Sequence, residues 1–208
     1  MVTAPHPVRK ARKYDQVLAG ARQVFLSQGF EGANVDDIAR VAGVSKATLY
    51  SYFSDKRLLF LEVARTECRR QADDAEAKIA KGVPVREALM SVAHTLVDFF
   101  SSDFFLRIYR IFVAESERFP ELGRAYYESG PLLGRARLNE YLRDAVARGE
   151  LQIGDTELAA DQFIELCKAA FFNRRIFCIE NALSEVEKDR VVNGAVEMFL
   201  ARHGVLRS

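Results

Sequence analysis

The chain has 208 residues, 49% of them hydrophobic, and a formal net charge of +1, enough material for one large domain or two small ones. It holds no run of 18 uncharged apolar residues, and residues 1–13 carry cations and prolines without an apolar segment. Neither a membrane span nor a secretory leader is therefore expected, and the cytoplasm is the expected location.

The near-neutral total hides an asymmetry. Residues 1–60 hold nine Lys/Arg against five Asp/Glu, whereas residues 61–208 hold 21 against 24. Residues 1–13 show no helical period and include Arg9, Lys10, Arg12 and Lys13. They read as a basic flexible arm that orders on phosphates or in a minor groove, or else as a solubilising tail. From Tyr14 to Gln28 a helix is predicted, with Val17, Leu18, Ala21, Val24 and Phe25 on its inner stripe and Gly29 ending it. Phe30 is expected to close a small core over Phe25 and Ile38.

Asn34 to Lys56 carries the clearest pattern. Val35, Ile38, Ala39 and Ala42 recur at i, i+3, i+4, i+7, Asn34 is a suitable N-cap, and Asp36 and Asp37 suit the first turn of a helix dipole. Gly43 permits the left-handed exit, Val44 plugs the turn, and Ser45 caps a second short helix with Leu49 and Phe53 inward. Lys46, Thr48, Tyr50, Ser51 and Tyr52 then point outward, with no carboxylate between Val44 and Ser54. Such donors, hydroxyls and rings suit phosphates and base edges. Two short helices about a glycine form a helix-turn-helix, whose second helix is the candidate for a major groove.

The run I-A-R-V-A-G-V-S-K-A-T-L-Y-S-Y-F-S-D-K, with the preceding F-L-S-Q-G-F-E-G-A-N-V, resembles the DNA-binding signature of TetR/AcrR-type transcriptional regulators over about residues 12–60. Asn34 stands where that family usually has threonine, and Ala47 where glycine is frequent. The resemblance implies DNA contacts from Asn34, Ser45, Lys46, Ala47, Thr48, Tyr50, Ser51, Tyr52 and Lys56, beside the arm cations. Lys56 falls in the first turn of the next helix, where a cation is unfavourable for the helix itself, and resembles the family's phosphate-contacting lysine.

That next helix, capped by Ser54 or Asp55, carries Leu58, Leu59, Leu61, Val63 and Ala64, turns polar through Arg69–Lys81 and breaks at Gly82–Pro84. Being continuous with the body, it is the expected lever between the parts. Further helices are predicted over about 85–101, 104–118, 121–148 (interrupted at Gly130–Pro131), 155–180 and 184–203, the last opened by a Ser184/Glu187 capping box. The expectation is an all-α chain of about nine helices: an arm (1–13), a three-helix DNA-binding domain (14–60), and a helical effector-binding and dimerisation domain (61–208). The segment R-I-F-V-A-E-S-E-R-F-P-E-L-G-R-A-Y-Y-E-S-G-P resembles the C-terminal domains of AefR-like members of the family.

Of the last two predicted helices, the one over 155–180 is apolar almost all round, and the one over 184–203 offers Val186, Val191, Val192, Ala195, Val196, Phe199 and Leu200. They are expected to pair in a homodimer through Phe163, Phe171, Phe172, Val192, Val196, Phe199 and Leu200. Two recognition helices related by a two-fold axis read a palindrome. The family resemblance further implies a small, apolar or amphipathic effector. Its candidate contacts are His94, Phe105, Tyr109, Phe112, Tyr126, Tyr127, Phe163, Cys167, Phe171 and Asn173, and each aromatic among them is also a candidate for plain core packing. Cys68, Cys167 and Cys178 read as buried thiols acting as small hydrophobes, with a redox sensor as the alternative. Only three histidines occur, and no HExxH, CxxC, phosphate loop or GxSxG is present, so no enzyme, metal or cofactor is expected. A repressor released by its effector is the leading expectation. A sequence-blind DNA anchor on a helical binding or scaffold protein, and an effector-independent activator, are the alternatives.

Overall fold

The structure, a computed structural model, describes residues 7–77 and 83–205, without the side chains of 7–11, 71, 72 and 75–77. Every regular element among the described residues is a helix, apart from a single bridge between Leu151 and Gly204. No described helix is long and apolar enough to cross a membrane. Packing groups the chain into two compact units, Met1–Glu67 with Arg107–Tyr126, and Cys68–Leu106 with Tyr127–Ser208. The first therefore takes in residues beyond the expected 14–60.

In the first unit, α1 (Pro7–Gly32) begins earlier than expected, so the described part of the arm is helical. It kinks at Gly29, whose φ of 73° suits glycine. Val17, Ala21, Val24 and Phe25 are buried along it, as their spacing predicts. Gly20 was not singled out by sequence, yet it fixes the crossing with α2 (Val35–Ala42). A Cβ there would lie 2.7 Å from both the Cβ and the backbone N of Ala42. Gly43 leaves α2 at φ 65°, and α3 (Lys46–Tyr50) follows with Leu49 buried beneath it. Asp55 rather than Ser54 caps α4 (Lys56–Ala77), accepting from the N–H groups of Arg57 at 2.8 Å and Leu58 at 3.0 Å. The buried stripe of α4 is Leu59, Phe60, Val63, Ala64 and Glu67, while Leu58 is exposed. Phe60 is the centre of this core. Its ring lies 5.1 Å from Phe25, 5.2 Å from Phe30 and 5.1 Å from Phe112. Phe112 comes from α6 (Asp103–Glu115), and its attachment to Phe60 explains why residues 107–126 pack with the head.

α7 (Pro120–Ser129) and α8 (Pro131–Ala147) are separate helices, divided where Pro131 removes a backbone donor. In the second unit, α5 (Val85–Ser101) and α9 (Thr156–Leu166) both pack on α11 (Glu185–His203), and α8 packs on α9. Phe163 meets Phe199 edge-on at 5.0 Å, and Lys188–Asp98 and Arg86–Glu197 pair α11 with α5 at 2.8 and 2.5 Å. The Ser184/Glu187 capping box forms as predicted.

The continuous helix expected over 155–180 does not form. It stops at Leu166, turns through Ala170 at φ 67°, and resumes only as α10 (Phe172–Ile176). The turn sends Cys167 and Phe171 into the core. It also lets the buried Arg175 donate to the Ser101 carbonyl at 2.9 Å and to Asp103 at 3.1 Å. A buried guanidinium needs such partners, and here they tie α10 to the α5–α6 junction.

Candidate nucleic-acid interface

Local chemistry builds the face around α3. The Asn34 side chain accepts from the Asp37 N–H at 2.8 Å, so this departure from the family pattern still serves as the cap of α2. Ser45 accepts from the Thr48 N–H at 3.1 Å, its hydroxyl lies 2.9 Å from that of Thr48, and Ser51 donates to the Thr48 carbonyl at 2.6 Å. These short bonds hold a five-residue helix that propensity alone would not sustain. Tyr50 projects from it, 49% exposed, with Lys46, Ala47 and Ser51 also exposed. Tyr52 is half-buried instead, its ring edge-on to Tyr14 at 5.6 Å, and Tyr14 in turn stacks on Phe53 and donates to Glu62 at 2.9 Å. Tyr14 is thus a support of the recognition helix that its sequence position did not advertise.

Lys56 departs from expectation. Its ammonium donates to the carbonyls of Phe30 at 2.7 Å, Ala33 at 3.1 Å and Glu31 at 3.4 Å, and sits 4.5 Å from the Phe30 ring centre. The last carbonyls of a helix carry its negative end, so a cation from α4 satisfies them. Lys56 therefore staples the end of α1 to the start of α4, where a free phosphate ligand was expected. The other two cations between residues 34 and 56 are also engaged, Arg40 with Asp37 at 2.9 Å and Lys46 with Asp36 at 2.6 Å. The Asp36 hydrogen bond raises the Lys46 pKa, and Arg40, followed by Gln28, holds the Asp37 carboxyl below its usual range. The helix-turn-helix is locally neutral. The positive surplus of the head comes from the arm, where Arg12 is exposed and Lys13 half-buried, while the side chains of Arg9 and Lys10 lie outside the described residues.

Three of the effector candidates touch one another, the Tyr126 ring lying 5.8 Å from Tyr109 and 4.9 Å from Phe112. Tyr109, Phe112 and Tyr126 belong to the first unit, the other seven to the second. Phe105, Phe112, Phe163, Cys167 and Phe171 are buried in packed cores, whereas His94 and Asn173 are exposed. Burial pushes the Cys167 thiol up to about 12. A groove of about 570 Å³ lies elsewhere, along α8, lined by Leu132, Arg135, Asn139, Arg143 and Glu157 among others.

The residues expected at a dimer interface are also mostly inside. Phe163, Phe171, Val192, Val196 and Phe199 are buried by their own chain, and Phe172 and Leu200 are half-buried. Their stripes face α5 and each other, since an apolar helix face needs cover but does not say which partner supplies it. Among the described residues, no group of His, Cys, Asp and Glu side chains is arranged to hold a metal ion.

Residues 17–63 match the model of bacterial regulatory proteins of the tetR family, and residues 87–205 that of the AefR-like transcriptional repressor C-terminal domain. The chain belongs to the TetR family.

Within that family, a TetR-family transcriptional regulator from Mesorhizobium loti is similar over 95% of this chain and 99% of its own, at 32% identity and a TM-score of 0.88. The flavonoid-responsive regulator FrrA is also 32% identical, over 95% of this chain and 100% of its own, with a TM-score of 0.73. The HTH-type transcriptional repressor AcnR of Corynebacterium diphtheriae is 40% identical over 58 residues, 28% of this chain and 30% of that protein. The chain thus matches about a third of the length of such curated relatives. Residues 17–63, matched by the tetR-family model, hold the capped α2–α3 pair described above.

Proposed function

We propose that this chain is a sequence-specific, DNA-binding transcriptional regulator that acts in the cytoplasm as a homodimer. In this reading it represses from a palindromic operator and is released when a small apolar or amphipathic molecule binds its second unit. The observation that carries the reading is the exposed face of α3, where Tyr50 and Lys46 project, with Ser51 beside them, from a helix that holds no carboxylate of its own. The basic arm beside it supplies sequence-independent attraction to phosphates.

Two copies would meet through faces other than those expected. On α11, Asn193, Gly194, Glu197, Met198 and Ala201 are all exposed and share one helical stripe. Met198 is 63% exposed, and a Cβ added at Gly194 would meet nothing within 4 Å. Leu158 of α9 adds exposed apolar area. The flavonoid response of FrrA supports a planar aromatic effector for this chain. An effector that favours one head spacing by about 3 kcal/mol would shift operator affinity by about 150-fold, in reciprocal linkage. The burial of five effector candidates in packed cores favours a second reading, regulation without an effector.

The test is a selection of random and genomic duplexes on the purified chain at ~150 mM salt, where sequence-blind binding is already weak. A recovered palindrome supports the proposal and supplies the probe for a screen of aromatic effectors. Salt-sensitive binding with no enriched sequence would reduce the head to a general DNA anchor.

A further inference from the structure

Three acidic and three basic side chains lie between Asn34 and Lys56, and each cation is already engaged within the chain. Lys56 is held by carbonyls and Arg40 by Asp37, a carboxylate that also accepts from Gln28 at 3.3 Å and Asn34 at 3.1 Å. Asp37 thus has a structural duty in the cap of α2. The second acid, Asp36, pairs with Lys46 at 2.6 Å, across the turn between α2 and α3. Both side chains are well exposed, 69% and 53%, so the pair can open without disturbing the core. Lys46 is the only cation on α3, hence the one cation the recognition helix itself can offer to a phosphate or a guanine edge.

We propose that Asp36 is an intramolecular competitor for the DNA-contacting Lys46. The inference rests on the DNA-binding reading above. A carboxylate presents to an ammonium the same charged oxygens as a phosphate. DNA must therefore displace Asp36 to capture Lys46, and the freed carboxylate then stands beside the polyanion. Asp36 lowers affinity for DNA of any sequence and keeps the head from lodging on DNA where little else holds it. The raised Lys46 pKa agrees with the closed pair.

The test is a double-mutant cycle on the full chain, read by anisotropy on a mixed-sequence duplex of about 30 base pairs at ~50 mM salt, where non-specific binding is measurable. Asp36→Asn should tighten binding by up to about fivefold per head, the range of an exposed ion pair. In a Lys46→Gln background the same substitution should change affinity by far less. Asp36→Ser, which keeps a short polar residue in the first turn of α2, should repeat the pattern if Asn disturbs the helix, and far-UV circular dichroism checks both variants. An equal gain in both backgrounds, or no gain in either variant, would overturn the inference while leaving DNA binding intact. Failure of the wild-type chain to bind the duplex at all would overturn the DNA-binding reading and this inference with it.

Discussion

Removing the Lys56 ammonium separates two roles that a sequence cannot distinguish. Lys56→Met keeps the aliphatic stem over Phe30 and deletes the donors to the carbonyls of Phe30 and Ala33, which lie at 2.7 and 3.1 Å, and of Glu31 at 3.4 Å. The two shorter, part-buried bonds are worth about 1 kcal/mol each. The longest is exposed and adds little. Against this, a cation in the first turn of α4 opposes its own helix dipole by about 0.5 kcal/mol. The net expectation is a loss of about 1.5 kcal/mol, or roughly 5–10 °C in Tm for a domain of this size. The chain has no tryptophan, so urea unfolding is best followed by far-UV circular dichroism, with DNA affinity measured on the folded variant over a salt series. An unchanged urea midpoint, together with a salt slope flattened by about one unit, would refute the staple and restore Lys56 as a phosphate contact.

Other outcomes follow from the same packing. Gly20→Ala gains about 1 kcal/mol of helix propensity, but its methyl meets the backbone of Ala42 at 2.7 Å, an overpacking worth about 1–3 kcal/mol. A lower thermal midpoint is therefore expected, and a rise would show that α1 and α2 can separate at no cost. Tyr50→Ala should leave Tm nearly unchanged, because the ring is exposed, yet weaken operator binding by about 1–3 kcal/mol per head. Collapse of the fold in that variant would show that the faces of α3 are reversed. At pH 8 the buried Cys167, its pKa near 12, should resist alkylation until the chain unfolds, whereas the exposed Cys178 should react in the native state. Mass spectrometry of labelled peptides checks this, and native labelling of Cys167 would contradict the packing around Phe163 and Phe171.

The head was legible in the sequence because its signals are local. Asn34, Gly43 and Ser45 act on residues no more than four positions away, and each behaves as its type predicts. Lys56 was not legible, since its partners lie 23 to 26 residues back along the chain. The same holds for Gly20, whose meaning depends on where Ala42 arrives. In the body, periodicity identified Phe163, Val192, Val196 and Phe199 as covered positions without revealing that their own chain covers them. The break after Leu166 was invisible because no glycine or proline marks it, and Ala170 takes the left-handed turn instead. That strain is sustained by the burial of Cys167 and Phe171 on either side.

The central claim is that two copies of α3 read a base sequence about a two-fold axis. Hydroxyl-radical footprinting of the wild-type chain on a selected duplex tests it most directly. Two symmetric protected half-sites, with centres about one helical turn or a whole multiple of it apart, are the expected result. A single asymmetric patch, or protection that moves freely along the duplex, would contradict the claim.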